Sequence, residues 1–163
     1  MLGRLSAEHD KLHPRYEPLT GEPVAAVVRP GRPLLPRAPL ALALADVQRA
    51  AWVVPPAGSV LRHRFELMFQ RASLAPPSNV VETAALLFIM RVLEQSDMIA
   101  VLAAEVARDY AGHGIVALLP LEMDCRMDDF GLITRTGQLY SPAASVMVDA
   151  IQVAAREVYG VAL

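Results

Sequence analysis

The most regular pattern of apolar and polar positions lies in the middle of the chain, in NVVETAALLFIMRVLEQSDMIAVLAAEVARDY. The β-branched run Asn79–Val81 predicts a buried strand, and Glu82 and Thr83 lead into AALLFIMRVLEQ, which is rich in helix formers and too long for a strand. MIAVL then predicts a second strand and AAEVARDY a second helix. Strands joined by a helical crossover are normally parallel, and such sheets bind ligands at the carboxyl ends of their strands. This places the candidate site at Glu82, Thr83 and Ala84.

Segments before this stretch predict further elements. PVAAVV (Pro23–Val28) and AAWVVPP predict strands, LADVQR predicts a short helical turn, and GRPLLPRAPLAL predicts an extended proline-rich connection. The clearest amphipathic helix is predicted from Ser59 to Ser73, because Ser59 is a good N-cap. Its apolar face consists of Leu61, Phe65, Met68, Phe69 and Ala72.

The last third of the chain predicts two strands and a terminal helix. HGIVALLPLEM and FGLITR predict the strands, and CRMDD between them predicts a polar turn. Pro142 directly after Ser141 predicts the first turn of a helix that runs to about Tyr159, because proline is favoured at that position. The apolar stripe of this helix needs a partner surface. It consists of Ala144, Met147, Val148, Ile151 and Ala155.

Composition limits the classes of function. A chain of 163 residues with 54% apolar residues suits one domain, or one and part of another, with a sizeable core. No apolar run reaches the ~18–20 residues of a membrane helix, and the first residues lack a secretory apolar segment, so we expect a cytoplasmic protein without membrane partners. The single cysteine, Cys125, excludes an internal disulfide and a cysteine-based zinc cluster. A net charge of −2 without a basic run does not indicate nucleic-acid binding within these residues.

Five segments together carry a resemblance to a known family: RPGRPL, LALADVQRAAWVVPPAGSVLRHRFELMF, NVVET, SDMIAVLAAEVARDY and FGLITRTGQLYSPAA. In this order and spacing they resemble the effector-binding domain of LysR-type bacterial transcriptional regulators, over nearly the whole chain. The SDMIAVL and LITR segments look most like the branch that includes regulators of protocatechuate and galactose uptake genes. One departure is the replacement of the family's Gly-Leu-Gly turn, which here must be made by Ser96 and Asp97 without glycine.

The resemblance implies an α/β fold of the type 2 periplasmic-binding-protein class, with one complete Rossmann-like subdomain of parallel or mixed sheet and remnants of a second. Residues 31–126 would form regulatory subdomain II, and residues 1–30 and 127–163 would belong to subdomain I. The family's helix-turn-helix and linker helix have no counterpart in these residues. We therefore expect a truncated regulator that contacts DNA only through a segment it lacks. Its exposed remnants predict a homodimer or a higher oligomer.

The resemblance also implies a small-molecule effector, often an anionic metabolite, bound in the cleft between two subdomains. Helix N-termini suit such a ligand because they carry unpaired N–H groups and partial positive charge. Two predicted helices start just after strands, at Ser59 and at Thr83. The candidate effector-binding residues are Gly58, Ser59, Arg62, Glu82, Thr83, Ala84 and Thr134.

Each of these residues also has a purely structural interpretation. Ser59 and Thr83 would then be helix caps only, and Arg62 would pair with a surface carboxylate. Glu82 would offset the positive end of the helix that follows it, the use that we favour for this residue. Thr134 would support the hinge of the return strand.

No catalytic, cofactor-binding or metal-binding pattern can be assembled. The histidines have no ligand-like spacing, and there is no P-loop and no G-x-S-x-G motif. We therefore expect a non-catalytic protein without cofactors. Three alternatives stay open: a solute-binding protein of the same two-lobed fold, an enzyme on that fold such as a dehydratase, and a fragment that only dimerises. The first would need an export signal and a complete first lobe, and the second a polar catalytic cluster at the strand ends.

Overall fold

The computed structural model describes residues 1–4, 14–32, 41–137 and 139–159. The chain forms two compact units: unit 1 consists of Met1–Glu22 and Asp128–Leu163, and unit 2 of Pro23–Met127. The boundary between residues 127 and 128 lies within one residue of the predicted boundary. The boundary between residues 22 and 23 lies eight residues earlier than the predicted one. The reason is that Pro23–Val28, expected in the remnant, pairs with a strand of unit 2.

Unit 2 is a mixed sheet with helices between its strands. In chain order it contains the second half of β2 (Pro14–Val28), α1 (Leu44–Val47), β3 (Trp52–Val54), α2 (Val60–Arg71), β4 (Val80–Glu82), α3 (Leu86–Glu94), β5 (Ile99–Ala103), α4 (Ala104–Gly112) and β6 (Ala117–Leu118). β3 lies between β4 and β5 and is parallel to both, and β5 pairs antiparallel with β2. The crossover through α3 therefore joins two parallel strands, as predicted, but β3 lies between them.

The two faces of this sheet bury two separate apolar clusters. Trp52 and Val54 join one cluster with Phe65 and Phe69 of α2, while Val53 joins the other with helix α3. The indole of Trp52 lies edge-on to Phe65 at 5.1 Å between ring centroids and to Phe69 at 6.2 Å. Alternate residues of β3 thus face opposite layers of helices, which explains its continuous apolar sequence.

The start of β5 confirms that a turn can form here without glycine. Ser96 donates its hydroxyl to the Val92 carbonyl at 2.7 Å and accepts the Met98 N–H at 3.3 Å. The Ser96 side chain thereby provides a hydrogen-bond partner for a carbonyl of α3 and for an N–H group just before β5, which a glycine has no side chain to do.

Unit 1 contains β1 (Leu2–Gly3), the first half of β2, most of β7 (Arg126–Arg135) and α5 (Pro142–Tyr159). β1 pairs antiparallel with β7, and α5 packs through Val148, Ile151 and Ala155 on Leu19 and Leu132. The predicted start and end of α5 are confirmed, and Ser141 Oγ accepts the Ala144 N–H at 3.3 Å. The sequence predicts that this apolar stripe is exposed where its partner helices are missing; Met147 is indeed 62% exposed, whereas Val148 and Ile151 are partly buried.

The strands differ from the sequence prediction at two places. Residues 14–22, for which the sequence pattern predicts no element, form the first half of β2. Prolines 14, 18 and 23 are unfavourable in a long helix but compatible with an extended strand. CRMDD was predicted as a turn, whereas β7 already begins at Arg126. Most of the predicted proline-rich connection, residues 33–40, lies outside the described residues.

Candidate effector site at the carboxyl ends of β3 and β4

Parallel pairing of β3 and β4 brings two segments of the predicted site to the same edge of the sheet. Val54 lies opposite Glu82 in the register, and the Thr83 N–H donates to the Val54 carbonyl at 3.0 Å. The loop that leads to α2 and the residues that lead to α3 therefore begin side by side. This is the edge at which ligands of parallel sheets bind.

The start of α2 is built by Gly58 and Ser59, as the sequence predicts. Gly58 has a φ of +80°, a left-handed conformation that other residues adopt at a cost. Ser59 Oγ accepts the Arg62 N–H at 3.2 Å and donates to the Pro56 carbonyl at 2.8 Å. The N-cap prediction for Ser59 is confirmed, and the first turn of a helix of 12 residues opens at this edge.

A network of charges joins α2 to β4. Arg62 Nε donates to Glu66 at 2.6 Å, and its Nη1 donates to Glu82 at 2.8 Å. Glu82 also accepts the Ala57 N–H at 3.2 Å. Only 14% of the Arg62 side chain is exposed, against 41% of Glu82. The guanidinium is thus held between two carboxylates, which corresponds to the structural interpretation of Arg62.

These contacts shift the pKa values of both groups in the direction that favours the charged pair. Burial lowers the pKa of Arg62, but its hydrogen bonds to Glu66 and Glu82 outweigh burial, so the net shift is upward. The Ala57 N–H and the Arg62 guanidinium lower the pKa of Glu82. Glu82 was expected to offset the start of its own following helix, but its partners lie in and before α2 instead.

Glu82 should stabilise the fold while it is charged, and its protonation at acid pH should remove that contribution. A carboxyl whose folded pKa is depressed contributes stability above its unfolded pKa, roughly 4.3, and loses it as the pH falls towards the folded value. We expect Glu82→Gln to be less stable than the unmodified chain at pH 7 and to lose less stability between pH 5 and pH 3. Urea unfolding across that range measures it. Glu122→Gln, which removes an exposed carboxyl, is the control. If the stability of Glu82→Gln and that of the unmodified chain fell equally between pH 5 and pH 3, the pairing would be contradicted.

The start of α3 differs from the prediction. The helix begins at Leu86 with Ala85 as its N-cap, two residues later than expected, so Thr83 is not the cap. Thr83 Oγ1 instead accepts the Ala85 N–H at 3.1 Å, and Ala84 is exposed. A hydroxyl two residues before a cap can form such a local turn, which delays the helix.

Thr134 lies in unit 1, on β7. Its hydroxyl donates to the Arg15 carbonyl at 3.4 Å, and it lines a cavity of about 490 Å³ with Tyr140 and Ser141. The other six candidate residues all belong to unit 2.

The family description "LysR substrate binding domain" matches residues 3–156. The chain belongs to this family. It is 28% identical over 153 residues to the HTH-type transcriptional regulator GbpR of Azospirillum brasilense, covering 94% of this chain and 44% of the relative. It is 37% identical over 136 residues to the regulator GalR of Pseudomonas putida, covering 83% of this chain and 34% of the relative. The chain thus spans less than half the length of these two curated relatives.

A solved structure confirms the predicted fold class for this LysR-family chain. The effector-binding domain of QuiR in complex with shikimate matches with a TM-score of 0.66 at 16% identity, covering 94% of this chain and 69% of that one. The α/β fold of the type 2 periplasmic-binding-protein class is therefore shown. The LysR substrate-binding domain is a regulatory and non-enzymatic domain, as the sequence predicted.

The one cysteine of this LysR-family domain lies in surroundings that suppress its reactivity. Cys125 is buried, and burial raises the pKa of its thiol, so little reactive thiolate forms at neutral pH. Within the described ranges no cluster of three or more histidine, cysteine or acidic residues could hold a metal ion. No helix in those ranges is long and apolar enough to cross a membrane.

Two members of the network were missing from the predicted site. Glu66 lies four residues after Arg62 on the same helical face, so the helical spacing of opposite charges could have identified it. The Ala57 N–H is a backbone donor, and only the parallel register of β3 and β4 brings it to Glu82. No sequence pattern carried that contact.

Proposed function

We propose that this chain is the ligand-sensing part of a LysR-type transcriptional regulator, which binds a small anionic effector at the carboxyl ends of β3 and β4. The observation that carries the proposal is the register between Val54 and Glu82, which sets the starts of α2 and α3 side by side. First-turn amides of α2 and α3 and the hydroxyl of Thr83 are suitable donors to a carboxylate, whereas the Ser59 hydroxyl would first have to leave the Pro56 carbonyl to which it donates. The shikimate carried by the QuiR domain is such a carboxylate.

In this proposal the main role of Arg62 is to hold other residues of the site in place, and it is not the main group that binds the effector. Its guanidinium already contacts Glu66, Glu82 and the Pro55 carbonyl, so an anion would compete with two carboxylates for it. The helix amides and the Thr83 hydroxyl therefore provide the main attraction, and Arg62 holds Glu82 and the loop at Gly58 in place. Ala84 and Thr134 stay predicted contacts of the effector.

The regulator as a whole would act on DNA through a helix-turn-helix outside these residues, in the cytoplasm. The effector would shift the regulator between two arrangements by binding one more tightly than the other. Within the family, we keep the prediction that the chain belongs to the branch that includes regulators of protocatechuate and galactose uptake genes.

We also propose that the chain self-associates, as a homodimer or a higher oligomer. Large apolar side chains are exposed in each unit: Leu87 by 80% and Phe88 by 52% on α3, and Val146 by 68% on α5. Exposed apolar patches of this kind usually mark interaction surfaces. If the chain bound no effector, self-association alone would be its function.

Effector binding is tested by a thermal-shift screen of aromatic and sugar acids, followed by calorimetry on the best compound. A ligand at one hundred times its Kd should stabilise the chain by about 2.7 kcal/mol. We expect Thr83→Val to weaken binding about tenfold, because a hydrogen bond to a charged group is worth ~1.5–3 kcal/mol. Ser145→Ala, which removes an exposed hydroxyl on α5, should leave the affinity unchanged. A flat screen would favour the function of self-association alone.

A further inference from the structure

A pocket of about 210 Å³ lies between α2 and the segment that leads into β7, and we call it the arginine pocket. Its lining residues all belong to unit 2: Arg64, Leu67 and Arg71 of α2, and Asp124, Cys125 and Arg126 of the segment. Three of these residues carry a positive charge and one carries a negative charge. The lining residues therefore leave the pocket positive.

The arginine pocket lies on the side of α2 that faces away from the candidate effector site. Arg64 and Arg71 are seven residues apart, which is about two helical turns, so they share one face of α2. Arg62 and Glu66 lie on the opposite face, where Arg62 contacts Glu66 and Glu82. The pocket is thus a separate feature of unit 2.

The wall opposite α2 is held in place by the core. Cys125 is buried in the apolar cluster that contains Trp52, and its N–H donates to the Met123 carbonyl at 2.7 Å. Asp124 and Arg126, the residues on either side of it, are exposed. This alternation is that of an extended segment with one face on the core. The buried cysteine therefore fixes the segment from which Arg126 lines the pocket.

The positive charges of the pocket are close together and incompletely neutralised. Burial raises the pKa of the Cys125 thiol, and the charges of Arg64 and Arg71 act in the opposite direction, so both guanidinium groups lie near this one sulfur. Asp124 is the one acidic lining residue, and its carboxylate lies 4.0 Å from Arg71 with 92% of its side chain exposed. Water screens such a pair, so it contributes little. Like charges around one cavity therefore attract an anion from solution.

We propose that the arginine pocket binds a phosphate dianion, either free or as the terminal group of a small molecule. A planar guanidinium donates two parallel N–H bonds to a phosphate, and groups from two walls can surround one tetrahedral anion. Pockets for whole organic ligands usually measure about 300–1,000 Å³, so a volume of about 210 Å³ suits one phosphate group. The remainder of a phosphate monoester would extend past Arg71, whose side chain is 68% exposed.

The end of α2 opposes an anion less than the arginines attract it. Arg71 lies in the last turn of α2, where unpaired carbonyls carry roughly half an elementary negative charge. Each guanidinium carries a whole positive charge, so three of them outweigh the carbonyls. A dianion also gains about twice the Coulomb attraction of a monoanion at the same distance. The pocket therefore favours phosphate over a single carboxylate.

The test is a calorimetric titration of the 163-residue chain with inorganic phosphate, at about pH 8 and constant ionic strength. Arg71→Gln and Arg126→Gln should each raise the Kd for phosphate about five- to tenfold, because each removes charge-assisted hydrogen bonds. Asp124→Asn should lower the Kd about two- to threefold, since it removes the competing carboxylate. Arg126→Lys keeps the charge without the planar fork, so its Kd should lie between those of Arg126→Gln and the unmodified chain.

A second titration, with glycerol phosphate, distinguishes the two sources of the phosphate group. An affinity equal to that for inorganic phosphate would support a phosphate monoester as the ligand, because the glycerol then extends into solvent. A much weaker affinity would support the free anion. In both cases the same arginine variants should weaken binding.

Arg108→Gln on α4 is the matched control, because it removes an exposed arginine that pairs with Glu105 and does not line the pocket. It should leave the Kd unchanged, and all variants should keep the circular dichroism of the unmodified chain. A chain that binds no phosphate would overturn the proposal, as would equal losses of affinity in Arg108→Gln and Arg126→Gln. Phosphate affinity that falls with Thr83→Val and not with Arg71→Gln would place the anion at the effector site and overturn the second site alone.

Discussion

Replacing Trp52 with alanine should destabilise unit 2 by about 3–5 kcal/mol, a large part of the ~5–15 kcal/mol that holds a typical domain together. Trp52 is completely buried and packs edge-on against Phe65 and Phe69 of α2. Its indole N–H donates to the Val47 carbonyl at 3.0 Å, which also accepts the Ala50 N–H at 3.1 Å, so truncation removes one of the two hydrogen bonds of that carbonyl. The cost combines a cavity with the loss of a buried hydrogen bond.

Urea unfolding followed by far-ultraviolet circular dichroism measures this loss, since the variant has no tryptophan to report by fluorescence. Phe88→Ala is the matched control: it truncates an aromatic side chain of α3 that is 52% exposed, and should change stability by less than about 0.5 kcal/mol. Trp52→Phe should fall between the two, because it keeps most of the ring packing and loses the hydrogen bond. Equal stabilities for Trp52→Ala and Phe88→Ala would contradict the arrangement of this core.

The same residue connects the core of unit 2 to the candidate site. Trp52 lies two residues before Val54, whose carbonyl holds the Thr83 N–H, and the chain then turns through Gly58 into α2. Phe65 and Phe69 fix the face of α2 that Trp52 covers, which leaves Arg62 on the side of Glu82. We therefore expect effector affinity to fall together with stability in Trp52→Ala, whereas Thr83→Val should lose affinity alone.

The sequence predicted the starts of α2 and α5 because the hydrogen bonds that fix them join residues close together in the chain. Ser59 accepts an N–H only three residues away, and Ser141 with Pro142 fixes the first turn of α5 in the same way. The start of α3 was placed two residues too early because Thr83 has the composition of a cap. Its hydroxyl can bond to Ala85 without starting a helix, and composition does not separate those two uses.

Contacts between distant residues could not be predicted in the same way. Arg62 and Glu82 are 20 residues apart, and they meet only because β3 and β4 pair in one register. A shift of that register by one residue would turn Glu82 away from Ala57. The first half of β2 was also missed, because its polar and proline-containing sequence gains its order from β7 rather than from its own pattern.

Replacing Gly131 with alanine should destabilise unit 1 by at least about 1–3 kcal/mol, the usual cost of forcing extra atoms into a packed site. A Cβ at Gly131 would lie 2.8 Å from a ring carbon of Tyr16 and 2.9 Å from the carbonyl carbon of Glu17, and closer still to the carbonyl oxygen. The obstacle is the backbone of β2, which cannot move aside as a flexible side chain would. The two strands must separate locally, and the Tyr16 hydroxyl would be drawn away from the Asp129 carbonyl that it contacts at 2.8 Å.

The control for this change is its own partner in the register. Gly3 of β1 lies opposite Gly131, and a Cβ there would make only ordinary contacts at 3.8 Å with Ile133 and 3.9 Å with Met1. Gly3→Ala should therefore be neutral or slightly stabilising, because alanine loses less backbone entropy on folding than glycine. Thermal unfolding of the two variants separates them, with a lower midpoint for Gly131→Ala only. If both alanines shifted the midpoint equally, the close approach of β7 to β2 at Glu17 would not be the cause, and the glycine would serve only the flexibility of the chain.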